Sequence, residues 1–195
     1  IRTAADLERL SDVDPARDIG YHLEALRRTR AVLPADKALI GFAGAPWTLA
    51  AYMIEGHGGK QFATAKRLLT EQPDVAHALL GRLADAIGDF LVAQVAAGAQ
   101  AVQLFDSWAG HLGPDDFARF ALPYLARAAR RAASAGAPVI VFAPGAWMHA
   151  EAIVAATQPA AIGVDWHVRP EEARKLADRM KVTIQGNLDP CHLFG

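Results

Sequence analysis

Five short apolar runs, separated by stretches with helical spacing, constrain this chain more than any other feature of its sequence. They lie at 38–43, 101–105, 139–142, 161–164 and 182–186. β-branched and aromatic residues dominate them, and none alternates cleanly as a strand wetted on one side would. They therefore read as parallel strands buried on both faces. Helical periodicity fills the intervals at 73–97, 114–133, 146–156 and 170–180, and Leu79, Leu80, Leu83, Ile87, Phe90, Leu91 and Val95 form one broad stripe of the first. Such alternation predicts an α/β fold with a parallel sheet, either doubly wound or part of a TIM (β/α)8 barrel. The last two strand-to-strand intervals are only about 22 residues, a compact repeat that favours the barrel. Five strands do not close one. The expectation is a single domain over 1–195, the central portion of a barrel that would need roughly three more strands.

Ahead of the first run, Leu7, Leu10, Ile19, Leu23 and Leu26 recur at helical spacing, with a break at Asp14-Pro15 where Asp can cap and Pro can open a second helix. A chain of 195 residues can bury roughly 70% of its unfolded surface and needs neither metal nor disulfide to hold together. Cys191 is the single cysteine, so an internal disulfide is impossible and a reducing, cytoplasmic setting is the simpler expectation. With 20 Lys+Arg against 21 Asp+Glu the net charge is −1, which argues against non-specific nucleic-acid binding. Asp85, Asp89 and Gln94 interrupt the longest apolar stretches, so no membrane span is expected. The chain opens on Ile1 without a signal segment, and the expectation is a piece of a longer polypeptide.

Chemistry in parallel α/β folds gathers just beyond the C-terminal ends of the strands. Those segments here are Phe42-Ala43-Gly44-Ala45-Pro46-Trp47-Thr48, continuing through Tyr52-Met53-Ile54-Glu55-Gly56-His57-Gly58-Gly59-Lys60; then Phe105-Asp106-Ser107-Trp108-Ala109-Gly110; Phe142-Ala143-Pro144-Gly145; Asp165-Trp166; and Gln185-Gly186-Asn187-Leu188-Asp189-Pro190. Each also has a purely structural reading. Gly and Pro punctuate loops, Asp106-Ser107 can cap a turn, and Tyr52 can be a core tyrosine with its hydroxyl satisfied. Five consecutive strand ends with polar or backbone-exposing residues on one rim point beyond structure. Familiar motifs fail: Gly59-Lys60 lacks the rest of a phosphate loop, and no Gly-x-Ser-x-Gly elbow occurs. The seven histidines show no pair at ligand spacing on one helix, so no metal site is expected.

The segments 41–49 with 52–56, 103–110, 163–166 and 185–190 together resemble the uroporphyrinogen decarboxylase family, in order and over nearly the whole chain. The resemblance implies a TIM-type barrel, a cytoplasmic homodimer, and conversion of the four acetate side chains of uroporphyrinogen III to methyls without metal or organic cofactor. A protonated pyrrole carbon makes the substrate its own electron sink, which is why no cofactor is required. By the same comparison Tyr52 is the active-site tyrosine, its hydroxyl placed against a substrate carboxylate. Ser107 binds substrate carboxylate, and Phe42 and Phe105 lie at the pocket floor. Asp106 is taken as supporting structure, because the family accepts Glu there and its pyrrole-binding Asp belongs upstream of Ile1.

An Arg-rich segment before that Asp and a His beyond Gly195 are also implied outside this stretch. An octa-acid substrate needs several cations that the matched rim does not offer, so the 195-residue chain alone is expected to be nearly inactive. Two departures stand inside the matched region. His57 occupies a loop position where the family more often has a small residue, and Ala143-Pro144-Gly145 replaces a Lys-containing sequence. Two rival functions remain at this level: a zinc- and corrinoid-dependent methyltransferase sharing the barrel, for which Cys191 beside His192 is a meagre ligand set, and a non-catalytic tetrapyrrole-binding protein.

Overall fold

The chain was analysed as a computed structural model that describes residues 1–56 and 61–194. Helices α1 (Ala4–Glu8), α2 (Pro15–Asp18) and α3 (Gly20–Val32) form the lead-in. Thr3 caps α1 by accepting the Asp6 N–H, and Asp14 caps α2 by accepting those of Ala16 and Arg17, with Pro15 opening that helix. Then follow β1 (Ile40–Gly44), α4 (Pro46–Glu55), α5 (Ala63–Glu71), α6 (Pro73–Ala96) and β2 (Ala101–Phe105). The remainder runs α7 (Pro114–Asp116), α8 (Leu122–Ala133), β3 (Val139–Phe142), α9 (Ala150–Thr157), β4 (Ala161–Gly163), α10 (Pro170–Met180) and β5 (Thr183–Gln185).

All five strands are parallel and adjacent in chain order, β1-β2-β3-β4-β5. That order distinguishes an arc of a barrel from a doubly wound sheet. Winding never reverses, so every right-handed crossover returns on the same side and the helices cover one face alone. Side chains facing them are Ala43, Val102, Leu104, Val139, Val141 and Ile162, all buried in one continuous core. The other face is open: Phe42 is 57% exposed and Ile40 44%, while Gln103, Phe105 and Phe142 are half-buried. The sheet is an incomplete α/β barrel, with β1 and β5 at its edges.

The sequence reading begins helix in the first interval only at residue 73; the structure adds α4 and α5 ahead of it. Pro46 at the first helical position pre-sets α4, and Gly56 ends it in the left-handed conformation at φ 83°, the two signals overlooked. The helix expected over 114–133 is present at those bounds, with one irregularity inside it. Between α7 and α8 the backbone widens into a π-turn at Phe117–Ala121, because Pro123 has no N–H to offer the carbonyl of Arg119. Among the described residues no helix is long and apolar enough to cross a membrane.

Candidate functional site

Alternation along the strands puts Phe42, Phe105 and Phe142 on the open face, on three neighbouring strands. Their rings meet edge to face, Phe42 to Phe105 at 5.8 Å and Phe105 to Phe142 at 6.0 Å between centroids. The result is an aromatic floor exposed to solvent. Glycines make it possible: a Cβ on Gly163 would lie 2.6 Å from the Phe142 ring, and one on Gly41 would lie 2.5 Å from the Gln94 side chain. Gln94 is buried on α6. Its amide donates to the Phe42 carbonyl and accepts the Phe42 N–H, each at 2.9 Å, which anchors the first phenylalanine of the floor through its backbone. The sequence reading places Phe142 at a strand end without giving it a role and takes Gln94 only as a break in an apolar stretch. The repeated Phe closing three successive strands was the signal for the former, but an amide inside an apolar helix gave none.

The first two strand-end segments follow directly on β1 and β2. Tyr52 sits near the end of α4, 40% exposed, with its ring edge-on to Trp108 at 6.0 Å and to Phe62 at 6.2 Å. Ser107, half-buried, precedes Trp108 in the turn directly after β2. Tyr52 and Ser107 thus belong to adjoining segments that share Trp108 as a neighbour. Three hydrogen bonds join these segments. The Thr48 hydroxyl donates to Asp106 at 2.8 Å, the Trp108 N–H donates to the Thr48 oxygen at 3.3 Å, and the Trp47 indole donates to the Trp108 carbonyl at 3.1 Å. Asp106 is fully buried, and burial pushes its carboxyl up to about 6 despite the bond from Thr48.

The later strand ends are tied by backbone. A Cβ on Gly110 would fall 2.6 Å from the Gly145 carbonyl carbon, so the β2 and β3 loops touch main chain to main chain. Asp165, buried at the end of β4, accepts the Gly145 N–H at 2.6 Å and the His167 N–H at 2.9 Å. Burial works to raise its carboxyl, yet these bonds together with the His167 ring hold it below the usual aspartate range. Pro144 therefore stands in a loop fixed by its neighbours. His57 lies outside the described residues. Apart from His57 and Lys60, the five strand-end segments contain no Lys, Arg or His, and His167 follows directly after Trp166. Cys191, with His192 beside it, is exposed in a short turn, and among the described residues no three His, Cys, Asp or Glu side chains cluster to hold a metal. The cleft of about 440 Å³ beside β5, lined by Arg174 and Asn187 among others, includes none of Tyr52, Ser107 or the phenylalanines.

An arc of five parallel strands with helices on one face and three phenylalanines on the other defines the class: an incomplete α/β barrel. A family model described as uroporphyrinogen decarboxylase (URO-D) matches residues 1–195, and the chain belongs to that family. The uroporphyrinogen decarboxylase of Myxococcus xanthus is 47% identical over 194 residues, covering 100% of this chain and 55% of the relative. That of Homo sapiens is 46% identical over 202 residues, covering 100% and 54%. The chain therefore spans about half the length of these relatives. A solved methyltransferase from Methanosarcina mazei superposes with a TM-score of 0.77 over 93% of this chain and 53% of its own, at 19% identity. That likeness speaks for the fold alone.

Proposed function

We propose that these residues form the central portion, a single domain, of a uroporphyrinogen decarboxylase, cytoplasmic and homodimeric at the relatives' full length, with no nucleic-acid partner. The observation that carries the reading is the matched family over the entire chain together with the row of phenylalanines on the open face of the strands that lead to Tyr52 and Ser107. In each of four cycles a ring carbon accepts a proton, the acetate C–C bond breaks and its electron pair neutralises the ring. Carbon dioxide leaves, and a second proton converts the exocyclic carbon to methyl as the first is returned. One proton is consumed per acetate and nothing is oxidised. No metal or organic cofactor enters this scheme.

Phe42, Phe105 and Phe142 offer an apolar bed for the tetrapyrrole, excluding water where ring charge develops. Tyr52 and Ser107 donate hydrogen bonds to its carboxylates, Tyr52 at the reacting acetate. With Lys60 the one Lys or Arg in these strand-end segments, charge neutralisation falls mainly to the part of the relatives' length beyond this region.

The test is an assay of uroporphyrinogen III, with products separated by the number of carboxylates retained. A polypeptide of the relatives' full length carrying this chain should yield coproporphyrinogen III, while residues 1–195 alone should yield little or none. Absence of product from the former removes the proposal. Tyr52→Phe and Ser107→Ala should each lower kcat/KM by at least about tenfold, the cost of one hydrogen bond to a charged group.

A further inference from the structure

One acid at the candidate site has no part in the chemistry above. Asp106 is 0% exposed, and among the described residues its Oδ2 finds no hydrogen-bond partner. A carboxyl in such a place costs stability that an apolar side chain of similar volume would not, so its presence asks for a reason other than holding the fold together. Its one side-chain partner, Thr48, answers with a location. Thr48 lies one helical turn before Tyr52 on α4, and its hydroxyl engages the residues on both sides of Ser107, donating to Asp106 and accepting from the Trp108 N–H. A single oxygen atom thus connects the helix that carries one candidate hydroxyl to the turn that carries the other.

We propose that Thr48 and Asp106 are positioning residues, their hydrogen bond fixing the separation between Tyr52 and Ser107 and hence the span at which two carboxylates of one substrate are held. The proposal rests on the function proposed above. The bond is directional and short, whereas the aromatic contacts around Trp108 tolerate sliding, so it is the contact able to set a distance.

The test compares Thr48→Val, Thr48→Ser, Asp106→Asn and Thr157→Val in the full-length polypeptide. Thr157 is a buried threonine whose hydroxyl donates to the Ile153 carbonyl on α9, so its valine variant reports the loss of a buried hydroxyl away from Tyr52 and Ser107. Thr48→Val should lower kcat/KM tenfold or more, chiefly through KM. Thr48→Ser and Asp106→Asn, which keep a donor and an acceptor in place, should stay within threefold of the parent. Thr157→Val should lose stability with kinetic constants unchanged. Kinetic constants for Thr48→Val that match those of Thr157→Val would overturn the proposal.

If the parent polypeptide decarboxylates nothing, the functional reading fails separately, and amide exchange decides the positioning claim. Faster exchange at Trp108 in Thr48→Val but not in Thr48→Ser upholds the tie, and equal exchange in both overturns it.

Discussion

The two faces of the sheet are built from alternate residues of the same strands, yet they obey different rules. On the helix-covered face Val102, Leu104 and Val141 have no exposed surface. On the open face Phe42 keeps more than half of its surface in water, and its backbone rather than its side chain is held, by Gln94. Packing fixes the first set, while the second is presented. Phe42 stands on the inner face of an incomplete barrel, on the edge strand β1, so its exposure marks a barrel-interior position rather than a place in the helix-covered core.

The largest expected effect sharpens that contrast. Leu104→Ala should cost about 3 kcal/mol, because it removes a fully buried side chain and leaves a cavity the surrounding helices fill only in part. Phe42→Ala should cost less than about 1 kcal/mol in stability and reveal itself in substrate affinity. Urea denaturation of both variants checks the difference, and equal losses would erase the distinction between the faces.

Asp106 tests the boundary between the faces through pH. Its carboxyl is raised to about 6 in the folded chain from an ordinary 3.8, so the folded state holds that proton more firmly than the unfolded state. The associated stability is fully present below about pH 4 and is lost as pH rises through about 6, a change of roughly 3 kcal/mol. Exposed carboxylates such as Asp18, drawn down to about 2 by the hydrogen bond from Arg17, act in the opposite sense. The difference between parent and Asp106→Asn isolates the buried acid. That difference should shift by this amount between pH 4 and 7 in denaturation curves, and a flat difference would mean Asp106 is ionised or wetted in the fold.

The smallest effect belongs outside the helix layer. Arg127 meets Asp85 at 2.6 Å and Arg131 meets Asp89 at 2.7 Å, bridging α8 to α6 with all four side chains about half exposed. A double-mutant cycle on either pair should give a coupling below about 1 kcal/mol, diminishing with salt. A larger value would make the solvent side of the helices a contributor comparable to the core.

Strand positions were legible because a buried parallel strand announces itself as an apolar run, and four of the five began and ended within one residue of where the runs did. The first run began two residues early. Ala38 and Leu39 are apolar but lead into the strand. α4 was hidden for the opposite reason: its residues Pro46–Glu55 are apolar nearly all round, so they carry no helical stripe, and six of them are buried. At the candidate site, Tyr52, Ser107, Phe42 and Phe105 were legible as strand-end residues within a known pattern. The ties made by Thr48 and Gln94 were not, since each acts through a pair of hydrogen bonds across more than fifty residues of sequence, a relation that only the folded chain displays.

The meeting of Gly110 with Gly145 has its own consequence. Where two peptide chains pass this closely, the gap between their loops is set by bare backbone, the least compressible spacer a protein possesses. Even a methyl group at position 110 would run into the Gly145 main chain, so one of the two loops would have to shift, three residues along the chain from Ser107.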